Sequence, residues 1–442
     1  MNRTFKRGGI HPPEEKHYTR EKPIENLPLP GKVCIPLNQN LGAPSQPVVE
    51  PKQAVKTGQV IADPAGFVSS PVHASVSGVV KSIGYRRTSV SPCSLCIEIE
   101  SDGQDTWVDG VRLEADAIDF SRPETFLESI RAAGLVGMGG AAFPTHVKLS
   151  PPEEAPVDTL IVNGIECEPY LTADNRLMLE YPGKILQGVL AMKAVLGVGR
   201  AIIGIEDNKP QAIAAVHEAV GKTPGVEVVA LKTCYPQGAE KQLIKAILDR
   251  EVPPGKLPMH VGAVVQNVGT AFAVFEAVAR KKPLVERVMT VSGPSIRDPK
   301  NLRVRIGTPL KDVIEFCGGA REDLGKLIMG GPMMGKALRS ADVPVLKSTS
   351  GLIFLDRASS LSQPESECIR CGRCVRACPQ GLVPGEMARM SEAGKFELLA
   401  DALDCLECGS CQYDCPSNRK ILHLLRLAKN EYRELQKEKK SA

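Results

Sequence analysis

Eight cysteines crowded between Cys368 and Cys415 constrain this chain more than any other feature. They form two runs of one spacing, Cys-x2-Cys-x2-Cys-x3-Cys-Pro. The first holds Cys368, Cys371, Cys374 and Cys378 before Pro379; the second holds Cys405, Cys408, Cys411 and Cys415 before Pro416. In such runs three thiolates converge on one iron–sulfur cubane, and the fourth ligates the cubane of the other run. The expected sets are Cys368, Cys371, Cys374 with Cys415, and Cys405, Cys408, Cys411 with Cys378. This crossing ties two [4Fe-4S] clusters together within electron-transfer reach, while Pro379 and Pro416 stop each run from continuing as helix. Structural zinc is the alternative, but zinc ribbons pair two Cys-x2-Cys knuckles and need neither a third cysteine nor a Cys-Pro ending. Disulfides fit less well, since nothing at the N-terminus reads as a secretory signal. A two-cluster chain moves single electrons.

The 442 residues leave room for roughly three domains, and 43% hydrophobic with 24% charged residues is a globular composition. A net charge of +4 argues against nucleic acid as the main partner. The greasiest stretch, Ile185 to Ile205, is interrupted by Gln187, Lys193 and Arg200, so it reads as helix, turn and strand rather than a membrane span. The chain is expected to be soluble or peripheral. Its cysteine usage suits a reducing, cytoplasmic setting.

Residues 1–30, rich in Pro, Lys and Glu, read as an extended arm laid on another surface, or a mobile one. Residues 31–110 alternate short β-branched runs with glycine turns, which gives a small barrel resembling the biotinyl/lipoyl carrier fold, a barrel-sandwich hybrid. Carriers of that type present a lysine on a hairpin tip. No lysine lies between Ile61 and Val76, so a docking module is expected instead of a swinging arm. Cys93 and Cys96 form a lone Cys-x2-Cys without two further ligands and read as ordinary barrel cysteines. Residues 120–282 alternate helices with short apolar strands: Thr159–Val162, Ala201–Ile205, Val226–Leu231 and Val261–Gln266, with one long helix expected from Leu177 to Val195. That pattern predicts an α/β domain with a mainly parallel sheet, whose ligands bind beyond the carboxyl ends of the strands. Residues 283–355 read as a compact β-grasp-like (SLBB) segment, 360–420 as a helical two-cluster domain, and 421–442 as a basic terminal helix. Between Arg419 and Lys440 stand eight basic residues and three glutamates, which suit a solvated helix or a contact with an acidic partner or membrane surface.

The candidate electron source is spread over four segments. Gly137, Gly139 and Gly140 lie in a loop ending Phe143-Pro144-Thr145-His146-Val147-Lys148. These glycines allow close backbone approach to a phosphate or flat ring. A helix precedes this loop, so it is no dinucleotide fingerprint, and alone it is compatible with a plain loop. Three expected strands, however, end in Asn163-Gly-Ile-Glu166-Cys-Glu168-Pro169, in Tyr235-Pro-Gln-Gly238-Ala-Glu240 and in Gln266-Asn267-Val-Gly-Thr270. These groups can hydrogen-bond a flavin ring, a ribityl chain and a phosphate.

The same four segments recur in order in the FMN- and NADH-binding subunits of respiratory complex I, which this chain resembles. With the N-terminal barrel, the Gly330–Gly335 segment and the two-cluster ferredoxin-like domain, nearly the whole chain resembles the C subunits of Rnf ion-translocating electron transport complexes. The resemblance implies non-covalent FMN, NAD(H) as substrate, and a complex that exchanges electrons between ferredoxin and NAD while moving Na+ or H+. It implies partners among the other Rnf subunits, including the ferredoxin-like B subunit, and a peripheral place on the cytoplasmic face of the bacterial inner membrane. Carried across by position, Gly137, Gly139, Gly140 and Lys148 would hold phosphates, Phe143 would stack near the nucleotide and Asn163 would bond the flavin. Glu166, Glu168 and Glu240 would line the nicotinamide side, with Tyr235, Gly238, Asn267 and Thr270 at the ring and phosphate. Met138, Ile165, Ala142, Gly269 and Ala239 depart from the complex I pattern.

No catalytic acid or base is expected, because hydride transfer belongs to the cofactor; His73 and His146 read as structural. Arg370, Arg373 and Arg376 are expected to raise the potential of the first run relative to the second, which is flanked by Asp404, Glu407 and Asp414. Two rival readings remain: a cobalamin reductase of bacterial microcompartments, whose barrel comes late rather than first, and a non-catalytic subunit that wires electrons between partners.

Overall fold

The computed structural model describes residues 3–360 and 363–441; residues 1, 2, 361, 362 and 442, within the expected arm, cluster segment and terminal helix, lie outside the described residues. Among the described residues, four sheets organise the fold.

The barrel is two small antiparallel sheets. Strands Lys32–Pro36, Ser94–Ser101, Gly78–Arg86 and Ala54–Val55 form one; Gln46–Pro47, Val60–Asp63 and Val72–His73 form the other. Alternation along Lys32–Pro36 turns Val33 and Ile35 inward, where they meet Ile61, Val80, Ile97 and Ile99.

The central sheet runs Val226–Leu231, Arg200–Glu206, Thr159–Gly164, Ala263–Asn267, every neighbouring pair parallel. Its inner strands are apolar on both faces because both are covered. Leu160, Val162, Ile203 and Val264 face helices Pro182–Leu196 and Val268–Arg280. Ile161, Ile202 and Val265 face helix Glu240–Leu248. The single helix expected from Leu177 to Val195 is in fact two, Ala173–Glu180 and Pro182–Leu196. Pro182 has no N–H to donate into a preceding turn, so it opens a new helix at its first position.

The fourth sheet has six strands: Ile24–Asn26, Lys300–Arg305, Glu286–Ser292, Gly351–Asp356, Leu324–Met329 and Lys336–Leu338. Its edge strand is supplied by the N-terminal arm, running parallel to Lys300–Arg305. Buried Lys347, just ahead of Gly351, joins three modules by donating to the carbonyls of Pro71 in the barrel (3.0 Å) and Gly134 below the glycine loop (2.7 Å).

Beyond this sheet, helices Arg373–Ala377, Pro384–Glu392, Ser410–Tyr413 and Ile421–Ser441 pack around Met387, Leu399, Ala402, Ile421 and Leu425. Among the described residues no helix is long and apolar enough to cross a membrane. Part of the terminal helix's charge is neutralised internally, since Arg426 and Lys429 both pair with Glu407 (3.0 Å each).

The arm is laid on the chain's own surface and touches the central parallel-sheet domain, the six-stranded sheet and the cysteine module. Arg3 bridges Leu231, Ile10 exchanges backbone bonds with Tyr235 (2.8 and 2.9 Å), and Gly9 N donates to Ala377 O (3.1 Å). Gly8 has a φ of +70°, and a Cβ there would stand 2.5 Å from the carbonyl carbon of Cys378. Only glycine fits so tight a passage.

Candidate flavin site and cysteine sets

The parallel register sets Asn163 beside Asn267 at the carboxyl edge of two neighbouring strands. Asn267 caps helix Val268–Arg280 by accepting from Gly269 N (2.7 Å), while its amide donates to Asp174 (2.7 Å) and to Asn163 O (3.4 Å). Asn163 in turn donates to Gly238 O (2.9 Å) and accepts from Ile165 N (3.1 Å). The glycine loop folds over this edge. It is closed by Gly137 N to Phe143 O (2.9 Å) and anchored by Met138 N to the Thr270 hydroxyl (3.1 Å). A Cβ on Gly139 would come within 2.8 Å of the Asn267 amide, so the loop can lie this close only as glycine. Gly140 has open space above it. Gly137, Gly139, Asn163, Gly238, Asn267 and Thr270 are thus brought to one place.

Lys148, on the turn Thr145–Lys148 that follows the loop, donates to Glu240 (2.5 Å) and to Val265 O (2.8 Å). Phe143, whose carbonyl closes the loop onto Gly137 N, is half-buried.

Glu166, Glu168 and Tyr235 point into the scaffold. The Glu166 carboxylate accepts from Asp174 N (2.7 Å) and Asn175 N (3.1 Å), at the start of helix Ala173–Glu180 where an anion is favoured. Glu168 accepts from Met333 N (3.0 Å) and Met334 N (2.8 Å), in the Gly330–Gly335 turn. Burial outweighs those two bonds and pushes its carboxyl up to about 7. The Tyr235 hydroxyl, on a buried ring, donates to Cys408 O in the cysteine module (2.8 Å).

Three functional groups escaped the sequence reading. Asp174 is half-buried between Asn267 and Glu166, and desolvation with its carboxylate neighbour holds it up at about 7. Lys16, from the arm, is buried with its ammonium donating to Glu166 O (2.8 Å), Glu168 O (3.0 Å) and Leu171 O (2.5 Å). Lys209, equally buried, donates to Ile165 O (2.7 Å), Asn208 (2.9 Å) and Glu206 (3.2 Å). For Lys209 a signal existed, since it stands just beyond an apolar strand ending in Glu206; Lys16 sits in a polar arm with no pattern around it.

The cysteines lie in two groups. Cys368, Cys371, Cys374 and Cys415 line one cavity of about 290 Å³, with Cys368 and Cys371 exposed. Cys378, Cys408 and Cys411 are buried and Cys405 half-buried, and this inner set lies against the sheet domain through Tyr235, Ile10, Ala377 and Cys167. No three His, Cys, Asp or Glu side chains among the described residues close on a single metal ion. Four sulfurs lining one cavity, as in the outer set, is the arrangement a cubane's four thiolate ligands take. Burial pushes the Cys405 thiol up to about 11 and raises Cys411 with help from Cys408, Cys405 and Cys378. Thiols so placed become good thiolates only around a cationic centre, so the donor set fits iron–sulfur clusters. The flanking charges are not segregated as expected. Arg373 pairs with Asp414 (2.6 Å), and Glu407 is neutralised by Arg426 and Lys429.

Family models match four consecutive stretches: an RnfC barrel sandwich hybrid domain over residues 4–104, a Nuo51 FMN-binding domain over 130–276, an SLBB domain over 288–337 and a 4Fe-4S dicluster domain over 367–419. The chain is 51% identical to the C subunit of the proton-translocating ferredoxin:NAD(+) oxidoreductase complex of Clostridium ljungdahlii, across 97% of this chain and 94% of that one. It is 45% identical to the C subunit of the Na(+)-translocating ferredoxin:NAD(+) oxidoreductase complex of Acetobacterium woodii, across 97% of each. With the C subunit of the ion-translocating oxidoreductase complex of Rhodobacter capsulatus it shares 44%, across 88% of this chain and 76% of the relative.

Proposed function

This chain belongs to the RnfC family, the C subunits of ion-translocating ferredoxin:NAD+ oxidoreductase (Rnf) complexes, and on that premise we propose that it is the complex's nicotinamide-facing electron-transfer component. Its cofactors are FMN and two [4Fe-4S] clusters, and its substrate is NAD(H). When bound, FMN converts the two-electron hydride chemistry of NAD(H) into the single electrons that iron–sulfur clusters carry.

The residues divide by task. Gly139, Asn163, Gly238, Asn267 and Thr270 hold the flavin ring at the sheet edge, and Gly137, Gly140 and Lys148 serve its phosphate. Phe143 and Glu240 stand on the nucleotide side. Glu166 and Glu168 shape the loop beneath the ring, and Tyr235 locks that loop's neighbour to the cysteine module. The inner set, Cys405, Cys408, Cys411 and Cys378, is the one nearest the flavin. The outer set, Cys368, Cys371, Cys374 and Cys415, faces outward toward a one-electron partner such as the ferredoxin-like B subunit. The chain sits peripherally, at the cytoplasmic face of the membrane, held there by its partner subunits.

The observation that supports this reading most is the seam at Tyr235, where one buried hydroxyl bonds a strand-end loop of the flavin domain to the backbone of an inner-set cysteine (2.8 Å). The test is anaerobic purification with metal and flavin quantified, followed by addition of NADH. The expected result is one FMN and about eight irons per chain, with the flavin absorbance bleached by NADH. Zinc in place of iron, or reconstituted protein with no affinity for flavin nucleotides, would overturn it.

A further inference from the structure

Resting on that reading, we infer that Lys16 and Lys209 form a buried cationic pair that positions the loop under the flavin site and stabilises the reduced state of the flavin and the inner cluster. The geometry is specific. Both ammonium groups are more than nine-tenths buried, and between them they bind the carbonyls of residues 165, 166, 168 and 171. Among the described residues no carboxylate contacts Lys16; Glu206 contacts Lys209 alone (3.2 Å). Burying two ammonium groups against backbone oxygens with one carboxylate in contact is unfavourable, and a packed apolar loop would hold its shape without that penalty.

The pair lies where an added electron would feel it. Cys167 belongs to the loop and neighbours Lys16. Its sulfur is 3.1 Å from where a Cβ on Gly238 would stand, and the same side chain packs with Tyr235 and Cys408. Lys16 and Lys209 therefore underlie the wall shared by the candidate flavin contact Gly238 and the inner cysteine set. Burial and nearby Lys209 lower the Lys16 pKa, but its three carbonyl acceptors engage all three N–H donors of the ammonium form. Reduction adds negative charge to either cofactor, and such a cation in a poorly solvated wall favours the reduced form. The outer set lies beyond the inner one and should feel the pair least.

The experiment is an EPR- and absorbance-monitored redox titration of the full chain carrying Lys16→Met, Lys16→Arg or Glu206→Gln, with FMN and iron contents measured first. Lys16→Met should shift the FMN and inner-cluster potentials to more negative values, and Lys16→Arg should restore them in part. Glu206→Gln removes the carboxylate touching the pair and should shift both to more positive values, leaving the outer cluster unmoved. Opposite signs from neighbouring substitutions are beyond the reach of a merely structural role. Should Lys16→Met fail to fold, the sign in Glu206→Gln decides. Potentials that stay fixed, or move the same way in both variants while flavin and iron remain at wild-type content, overturn the inference. Wild-type chain that binds no FMN would instead overturn the functional reading beneath it.

Discussion

The two cysteine sets share one spacing and little else. The outer set opens onto solvent through Cys368 and Cys371. The inner set is sealed by the arm at Gly8–Ile10, by Tyr235 and by Met333, whose carbonyl would stand 3.2 Å from a Cβ on Gly409. Spacing fixes which sulfurs share a cluster, but the environment that tunes a cluster comes from whatever packs on it, here from the arm and the Tyr235 loop, each more than a hundred residues away in sequence, and from Met333. On the proposed reading, the exposed outer position serves a partner and the buried inner one serves the chain's own flavin.

The sharpest way to break this contrast is to remove one ligand from each set. Cys408→Ser should abolish NADH-driven reduction of both clusters while the flavin still bleaches, whereas Cys371→Ser should leave the inner cluster reducible; EPR after NADH addition distinguishes them. Equal losses in the two variants would mean the sets are not ordered. Next in size, Gly139→Ala drives a methyl against Asn267 and should weaken FMN binding at least about tenfold, roughly 1.4 kcal/mol. Both sets should then lose reduction by NADH yet keep it with dithionite, read by flavin content and EPR together.

Acid–base behaviour should separate the sets further, because Glu168 grips the Met333 turn over the inner one. Its folded pKa of about 7 lies above the ordinary 4.5. Its contribution to stability is therefore complete below pH 4.5 and is lost as pH rises toward 7, where the folded state must give up a proton it holds more tightly than the unfolded chain. Asp174, raised to about 7 by burial, works in the same direction over the same range. Buried His73, held down at about 3, works in the opposite direction below its ordinary 6.5, so the Glu168 share is read as the stability difference between wild type and Glu168→Gln in thermal unfolding from pH 4.5 to 7.5, which should decline as pH rises. A difference that grows through that range would contradict the assignment.

Smaller effects follow at the rims. Tyr235→Phe deletes the bond to Cys408 O and should cost about 1 kcal/mol, seen as a lowered midpoint in denaturant, with slower reduction of the inner cluster in rapid mixing. Arg373→Ala should change no melting temperature measurably, since its partner Asp414 lies at an exposed surface pair. It should still make the outer potential more negative by freeing that carboxylate. An unchanged outer potential would show that the pair is electrostatically silent.

Much of this was legible in the residues. Apolar runs of strand length between helical stretches point to the parallel sheet, and Asn163, Asn267 and Gly139 stand at its carboxyl edge because ladder register puts strand ends together. The cysteine groups follow from spacing alone. What could not be read was the direction of side chains on loops. Glu166 and Glu168 carry the right chemistry for a nucleotide site, yet each commits both carboxylate oxygens to backbone N–H groups of the scaffold. Lys16 was opaque for a different reason. A lysine in a polar arm is ordinarily solvated, and nothing local announces that a loop 150 residues onward will offer it three carbonyls. The helix break at Pro182 was visible in principle, since Glu180, Pro182, Gly183 and Lys184 interrupt the run, but apolar residues at helical spacing on either side masked it.

The threading of the arm has a consequence for how the chain is made. Residues 3–10 leave the ribosome well before Ala377 and Cys378, part of the surface on which they lie. Arg3 and Ile10 can settle on Leu231 and Tyr235 once the sheet domain is made, but Gly8 and Gly9 gain their seat only when the cysteine module docks, so that docking completes the arm's path.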